Sequence, residues 1–152
     1  MTVEARLEEL GLSLPAAAAP VAAYVPVVVS GGCAYVSGQL PFVEGKLVTG
    51  RLGEDVAVDQ GYEAARACGL MLLAQLRAAG LLERVEQVVK LGAFVSSTAD
   101  FTDQPKVANG ASELMAEVFG DAGRHARSAV GVPVLPLGAA VEVDGIFALR
   151  AG

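Results

Sequence analysis

Residues 125–149 read HARSAVGVPVLPLGAAVEVDGIFAL, and the fold turns on how this stretch is read. Two apolar runs flank a Pro-rich connection, Pro133 to Gly138. Each run has the length and valine content of a strand. Each also carries one charge that a core strand does not tolerate unpaired: Arg127 in the first, Glu142 in the second. Either these two neutralise each other as a structural pair, or they face a cleft and hold something.

Working back towards the N-terminus, Asp103 and Pro105 open a helix that Gly120 ends, in keeping with proline in a first turn. Val107, Ala111, Leu114, Met115 and Val118 form its apolar face. Val88 to Ser96 is a strand, reached through a turn at Leu81 to Glu86. Asp55 to Ala79 is the long helix: Val58, Tyr62, Ala65, Gly69, Leu72 and Leu76 recur at alternating spacings of four and three. Asp55 is its expected N-cap and Gly80 its stop. Before it, Phe42 to Gly53 is a loop excursion with a small strand at Lys46 to Val48. Tyr24 to Ser30 and Cys33 to Ser37 form a hairpin around Ser30-Gly31-Gly32, with Pro26 marking an edge position or a bulge. The hairpin runs on into Ser37-Gly38-Gln39-Leu40-Pro41, where the glycine lets backbone approach a partner or ligand. Thr2 to Leu10 is a short capped helix. Leu14 to Ala23 is an extended arm, since Pro15 and Pro20 interrupt a helix.

The order is strand, strand, helix, strand, helix, strand, strand. This predicts a single α+β domain, 1–152, with residues 1–23 as a helix and arm. Its mixed sheet carries two helices on one face. The other face remains apolar. Arg127, Ala129 and Gly131 share one side of their strand, and Ala140, Glu142, Asp144 and Ile146 share one side of theirs. A sheet apolar on both faces with helices for only one needs a second subunit, so we expect an oligomer.

Composition narrows the function. The 152 residues are 53% hydrophobic, with 18 glycines and 7 prolines. The formal charge is −6, with only 11 Lys and Arg, and no cluster of them. A dedicated nucleic-acid binder is therefore not expected, because phosphate contacts need basic residues. No apolar run reaches the roughly 18 residues of a membrane span. No basic, then apolar, leader precedes the first helix. Cys33 and Cys68 match no metal or redox spacing. Free thiols in a chain without such a leader point to the cytoplasm.

The Tyr24 region, Ser37-Gly38-Gln39-Leu40-Pro41, Ala126-Arg127-Ser128 and Val141-Glu142-Val143 together resemble the RidA (YjgF) family of reactive-intermediate deaminases. The resemblance covers Tyr24 to Leu149. It implies a chorismate-mutase-like fold and a homotrimer with a central β-barrel and clefts between subunits. It also implies cofactor-free hydrolysis of enamines and imines, such as 2-aminoacrylate and 2-iminopropanoate, to a 2-oxo acid and ammonia. Arg127 falls on the family's substrate arginine and Glu142 on its strand glutamate. Tyr24 falls on its cleft tyrosine, Ser37 and Gly38 on its backbone-contact pair, and Asn109 on a cleft asparagine. The chain departs from many deaminating members in having Ala129 where they have a cysteine. Its N-terminal helix and its long Phe42 to Asp55 segment are also atypical.

The chemistry suits those residue types. Arginine's planar fork grips a carboxylate bidentately. Glu142, in an apolar cleft, acquires a raised pKa suited to placing water and shuttling a proton. The competing readings are a trimer that binds small carboxylates without turnover and, less favoured by charge, an endoribonuclease. Arg127 as a structural ion pair, Tyr24 as a packed aromatic and His125 as a packing or surface histidine are the structural alternatives.

Overall fold

The computed structural model describes residues 1–20 and 22–152. In chain order the elements are α1 (Val3–Glu9), β1 (Val27–Ser30), β2 (Cys33–Gln39), β3 (Phe42–Val43), β4 (Lys46–Leu47), α2 (Val58–Ala78), β5 (Val85–Ser96), α3 (Gln104–Phe119), β6 (Ala126–Val132) and β7 (Val141–Leu149). Strands β1, β2, β7, β5 and β6 form one mixed sheet in that order, and β3 and β4 pair as a separate small hairpin.

The last two strands are not partners. The 12-residue β5 lies between them, antiparallel to β7 and parallel to β6. A parallel pair needs a crossover, and α3 supplies it between β5 and β6. β7 then reaches β2, and β2 reaches β1, by antiparallel pairing. The first strand begins at Val27, so Tyr24 precedes it in coil. Pro26 stands just outside the edge strand, where its missing N–H costs no ladder bond.

Along β7, burial alternates: Val141, Val143, Gly145, Phe147 and Leu149 are buried, and Glu142, Asp144, Ile146 and Ala148 are half-buried. The buried set faces the two helices. α2 covers β2 and β7, and α3 covers β5 and β6. Leu72, Leu76, Leu114, Met115 and Phe147 are fully enclosed, each contributing about 1.5–3 kcal/mol of apolar burial. The helices approach closely through small residues. A Cβ added at Gly110 would overlap the Tyr62 carbonyl, and one at Gly69 would lie 2.8 Å from Leu114 Cδ2.

One cap differs from expectation. α2 starts at Val58, with Ala57 at the cap position, where Gln60 Oε1 accepts from the Ala57 N–H at 2.8 Å. Asp55 instead closes the preceding loop, its Oδ1 accepting from Arg51 N at 2.7 Å. Thr2 does cap α1, its Oγ1 accepting from Ala5 N at 3.0 Å. Glu83, in the short turn between α2 and β5, accepts from Val3 N at 2.8 Å and Glu4 N at 3.0 Å. Those free N–H groups and the positive end of the helix favour a carboxylate. The predicted arm Leu14–Ala23 is irregular wherever it is described; Val21 lies outside the described residues.

Candidate functional site

β2 is regular to Val36, then shifts register between Val36 and Gln39. Such a bulge re-aims the strand end. Just there, Ser37 N donates to Pro26 O at 2.9 Å, which brings Tyr24 and Pro26 against the strand. Tyr24, Ser37 and Gly38 line a cleft of about 110 Å³ that is closed by Ala18 to Pro20 of the arm and by Leu137. Tyr24 is 47% exposed there. Three residues expected from the sequence therefore meet in one cleft.

Two glutamines hold its back wall. Gln75 Nε2, from α2, donates to Ala18 O at 2.7 Å and to Gln39 Oε1 at 3.2 Å. Gln39 Nε2 donates to Ser37 O at 3.1 Å. Both side chains are buried, at 3% and 6% exposure. Buried amides need every partner they can reach, so this chain of bonds fixes arm, helix and strand end together.

Glu142 is the neighbour of this cleft. A Cβ at Gly38 would overlap its Oε2, so only glycine leaves room for the carboxylate at that place. Burial pushes the Glu142 carboxyl up from its ordinary range, and the negative charge of Asp144 adds to the effect. Both terms disfavour the ionised form. The result is a carboxyl poised to gain and lose a proton beside a small cleft.

Arg127 lies elsewhere. It pairs in register with Leu91, whose side chain is buried under the helices, whereas Glu142 pairs with Phe94 on the uncovered face. Arg127 and Glu142 therefore sit on opposite faces of the sheet. The expected grouping of Arg127, Ala129 and Gly131 with the uncovered face is corrected by this register: they face α3. From β2 to β6 there are three strand steps, about 14 Å at the usual spacing. Among the described residues, Arg127 has no carboxylate within ion-pair distance. The structural-pair alternative with Glu142 or Asp144 is thereby removed within one subunit.

Arg127 is instead held by α3. Its Nη1 donates to Asn109 Oδ1 at 2.8 Å and to Ser112 Oγ at 3.1 Å. Asn109, expected only as a cleft residue, lies against the arginine. Ser112 and His125 were not expected. Ser112 Oγ lies 2.8 Å from His125 Nε2, and His125 Nδ1 lies 2.6 Å from Gly123 O. Ser112, His125 and Arg127 border a separate surface hollow of about 360 Å³. No spacing rule links a helix serine to a histidine 13 residues on. The glutamines left a fainter trace: Gln75 interrupts the apolar face of α2 seven residues after Cys68.

Among the described residues no group of three or more His, Cys, Asp and Glu is placed to hold a metal, and no helix is long and apolar enough to cross a membrane. Cys33 and Cys68 are free thiols.

Residues 4–148 match the family described as "YjgF/chorismate_mutase-like, putative endoribonuclease". Protein TCP17 of Trypanosoma cruzi is 55% identical over 151 residues, covering 97% of this chain and 94% of its own. A crystal structure of a protein with unknown function from Agrobacterium tumefaciens is 48% identical, with a TM-score of 0.89, covering 97% of this chain and 92% of that one. A structure from Shewanella oneidensis described as a "putative endoribonuclease" is 38% identical, with a TM-score of 0.93, covering 98% of this chain and 100% of that one.

Proposed function

The chain belongs to the YjgF (RidA) family, and from that membership and the two half-sites we propose that it hydrolyses small 2-imino and enamine acids to 2-oxo acids and ammonia. The site is completed between copies in a homotrimer. Arg127 with Asn109 from one copy meets Tyr24, Ser37, Gly38 and Glu142 of the next.

Arg127 carries this reading: a half-buried guanidinium, fixed at one end by α3, with no carboxylate partner among the described residues. An unpaired, partly buried cation is costly unless a ligand neutralises it. A 2-imino acid offers a carboxylate beside its electrophilic carbon. With the carboxylate on Arg127, the backbone N–H of Gly38 orients the other end. Glu142 takes a proton from water as its oxygen adds to the C=N carbon and passes that proton to the nitrogen. The carbinolamine then collapses to the ketone and releases ammonia. The upward shift of the Glu142 carboxyl, caused by burial and by Asp144, favours proton exchange with water over permanent ionisation. Imines hydrolyse in water unaided, so positioning supplies most of the acceleration required.

The test is imine decay. 2-Iminopropanoate and bulkier 2-imino acids are generated with an amino-acid oxidase and trapped by semicarbazide. Decay should be faster with the protein and return to the background rate with Arg127→Ala. Binding of 2-oxo acids without faster decay supports the non-catalytic alternative. The descriptions of the relatives favour a second reading, RNA cleavage. The charge of −6 opposes it; RNA cleavage that persists through repurification and disappears in Arg127→Ala would establish it.

A further inference from the structure

The bonds around Arg127 form a directed chain that reaches past the expected site. Gly123 O is a carbonyl and can only accept, so His125 carries its proton on Nδ1. In the neutral imidazole Nε2 is then a bare acceptor, and Ser112 donates its O–H to it. That leaves the lone pairs of Ser112 Oγ turned to Arg127, whose Nη1 donates to them. Asn109 Oδ1 takes the other Nη1 proton. Both hydrogens on Nη1 are therefore occupied by α3. Among the described residues, Nη2 and Nε have no hydrogen-bond partner.

We propose that Ser112 and His125 are positioning residues that lock the guanidinium by Nη1 so that its Nε–Nη2 edge presents a side-on, bidentate seat for the substrate carboxylate. The inference rests on the reading of Arg127 as the carboxylate anchor. It adds two residues to that anchor and assigns which edge of the fork is used. A guanidinium has five N–H groups in a rigid plane; spending two of them on the protein leaves one complete edge. His125 sets the direction of the chain, because only an acceptor at Nε2 turns the serine proton away from the arginine.

The chain predicts graded effects. Without the serine hydroxyl or the imidazole acceptor, the arginine remains but swings. Carboxylate binding should weaken about ten-fold, the scale of one hydrogen bond to a charged group. Because the carboxylate is held alike in ground and transition states, KM should rise by that factor while kcat changes little.

The experiment uses the full chain, with pyruvate as the binding probe by calorimetry and 2-iminopropanoate decay for KM and kcat. Arg127→Ala, Ser112→Ala, Ser112→Thr, His125→Ala and His125→Gln are compared, each checked for folding by thermal melt. The expected result is weakened pyruvate binding and raised KM for both alanine variants. Recovery is expected with Thr, which keeps the hydroxyl, and with Gln, whose carbonyl can replace Nε2 as acceptor. Pyruvate binding by Ser112→Ala and His125→Ala equal to that of the unaltered protein, with Arg127→Ala inert, overturns this inference and leaves Arg127 as the anchor. Thr and Gln variants that are folded yet no better than the alanine ones overturn it too. Unchanged binding and turnover in Arg127→Ala overturns the anchor itself, and with it both readings.

Discussion

Gly38 and Glu142 share one volume, and only a missing Cβ allows it. Gly38→Ala therefore pushes against the flexible end of a side chain rather than against backbone. The protein should fold with little change in melting temperature, while imine turnover falls by about a hundred-fold, the scale of a displaced general acid–base. Glu142 also marks stability. Its raised pKa means that the folded state binds more protons than the unfolded one between the ordinary carboxylate range and the raised value. Stability thus falls as pH rises through that window. Glu142→Gln should be more stable than the unaltered chain at neutral pH and gain nothing below the ordinary carboxylate range, as denaturant melts at both pH values would show. Charged residues on valine-rich strands made Arg127 and Glu142 legible in the sequence. Ser112 and His125 were not, because their contact depends on how the start of β6 is laid against the middle of α3.

The elements were readable wherever periodicity was long. The apolar faces of α2 and α3 emerge as the core, and the glycine at the end of each helix takes a positive φ, 73° at Gly80 and 63° at Gly120. The first hairpin was readable from its Ser-Gly-Gly turn, but the order of the remaining strands was not: β5 is inserted between β6 and β7 and the chain reaches β6 through α3. Local sequence does not record which strand slides between two others. Asp55 misled for a similar reason: an acidic residue before an apolar helix reads as its cap, but here it folds back on Arg51. The contact between α2 and α3 supplies a prediction at this scale. Gly110→Ala would gain about 1 kcal/mol of helix propensity, yet its Cβ meets the Tyr62 backbone. Backbone cannot move aside as a side chain can, so overpacking of about 1–3 kcal/mol should win and lower the melting temperature.

On the scale of the whole molecule, one face of the sheet has no helices. Val28, Tyr35 and Val130 are 50%, 45% and 45% exposed on it, with Ile146, Phe94 and the carboxylates of Glu142 and Asp144 among them. An apolar face of this kind, on a chain whose proposed site residues Arg127 and Glu142 lie on opposite sheet faces, points to assembly. Sedimentation should give a species of three times the 15.5 kDa chain; a stable monomer would leave Arg127 and Glu142 apart. The arm, held to α2 by Gln75, closes the cleft from above. The measurement that tests the account most directly is imine decay by mixed assemblies. Arg127→Ala subunits keep the cleft half, and Gly38→Ala subunits keep the arginine half. Each alone should be inactive. Unfolded and refolded together in equal amounts, they should place two intact halves at about a quarter of the interfaces and recover about that fraction of activity. No recovery from a folded, mixed trimer would contradict a site shared between copies.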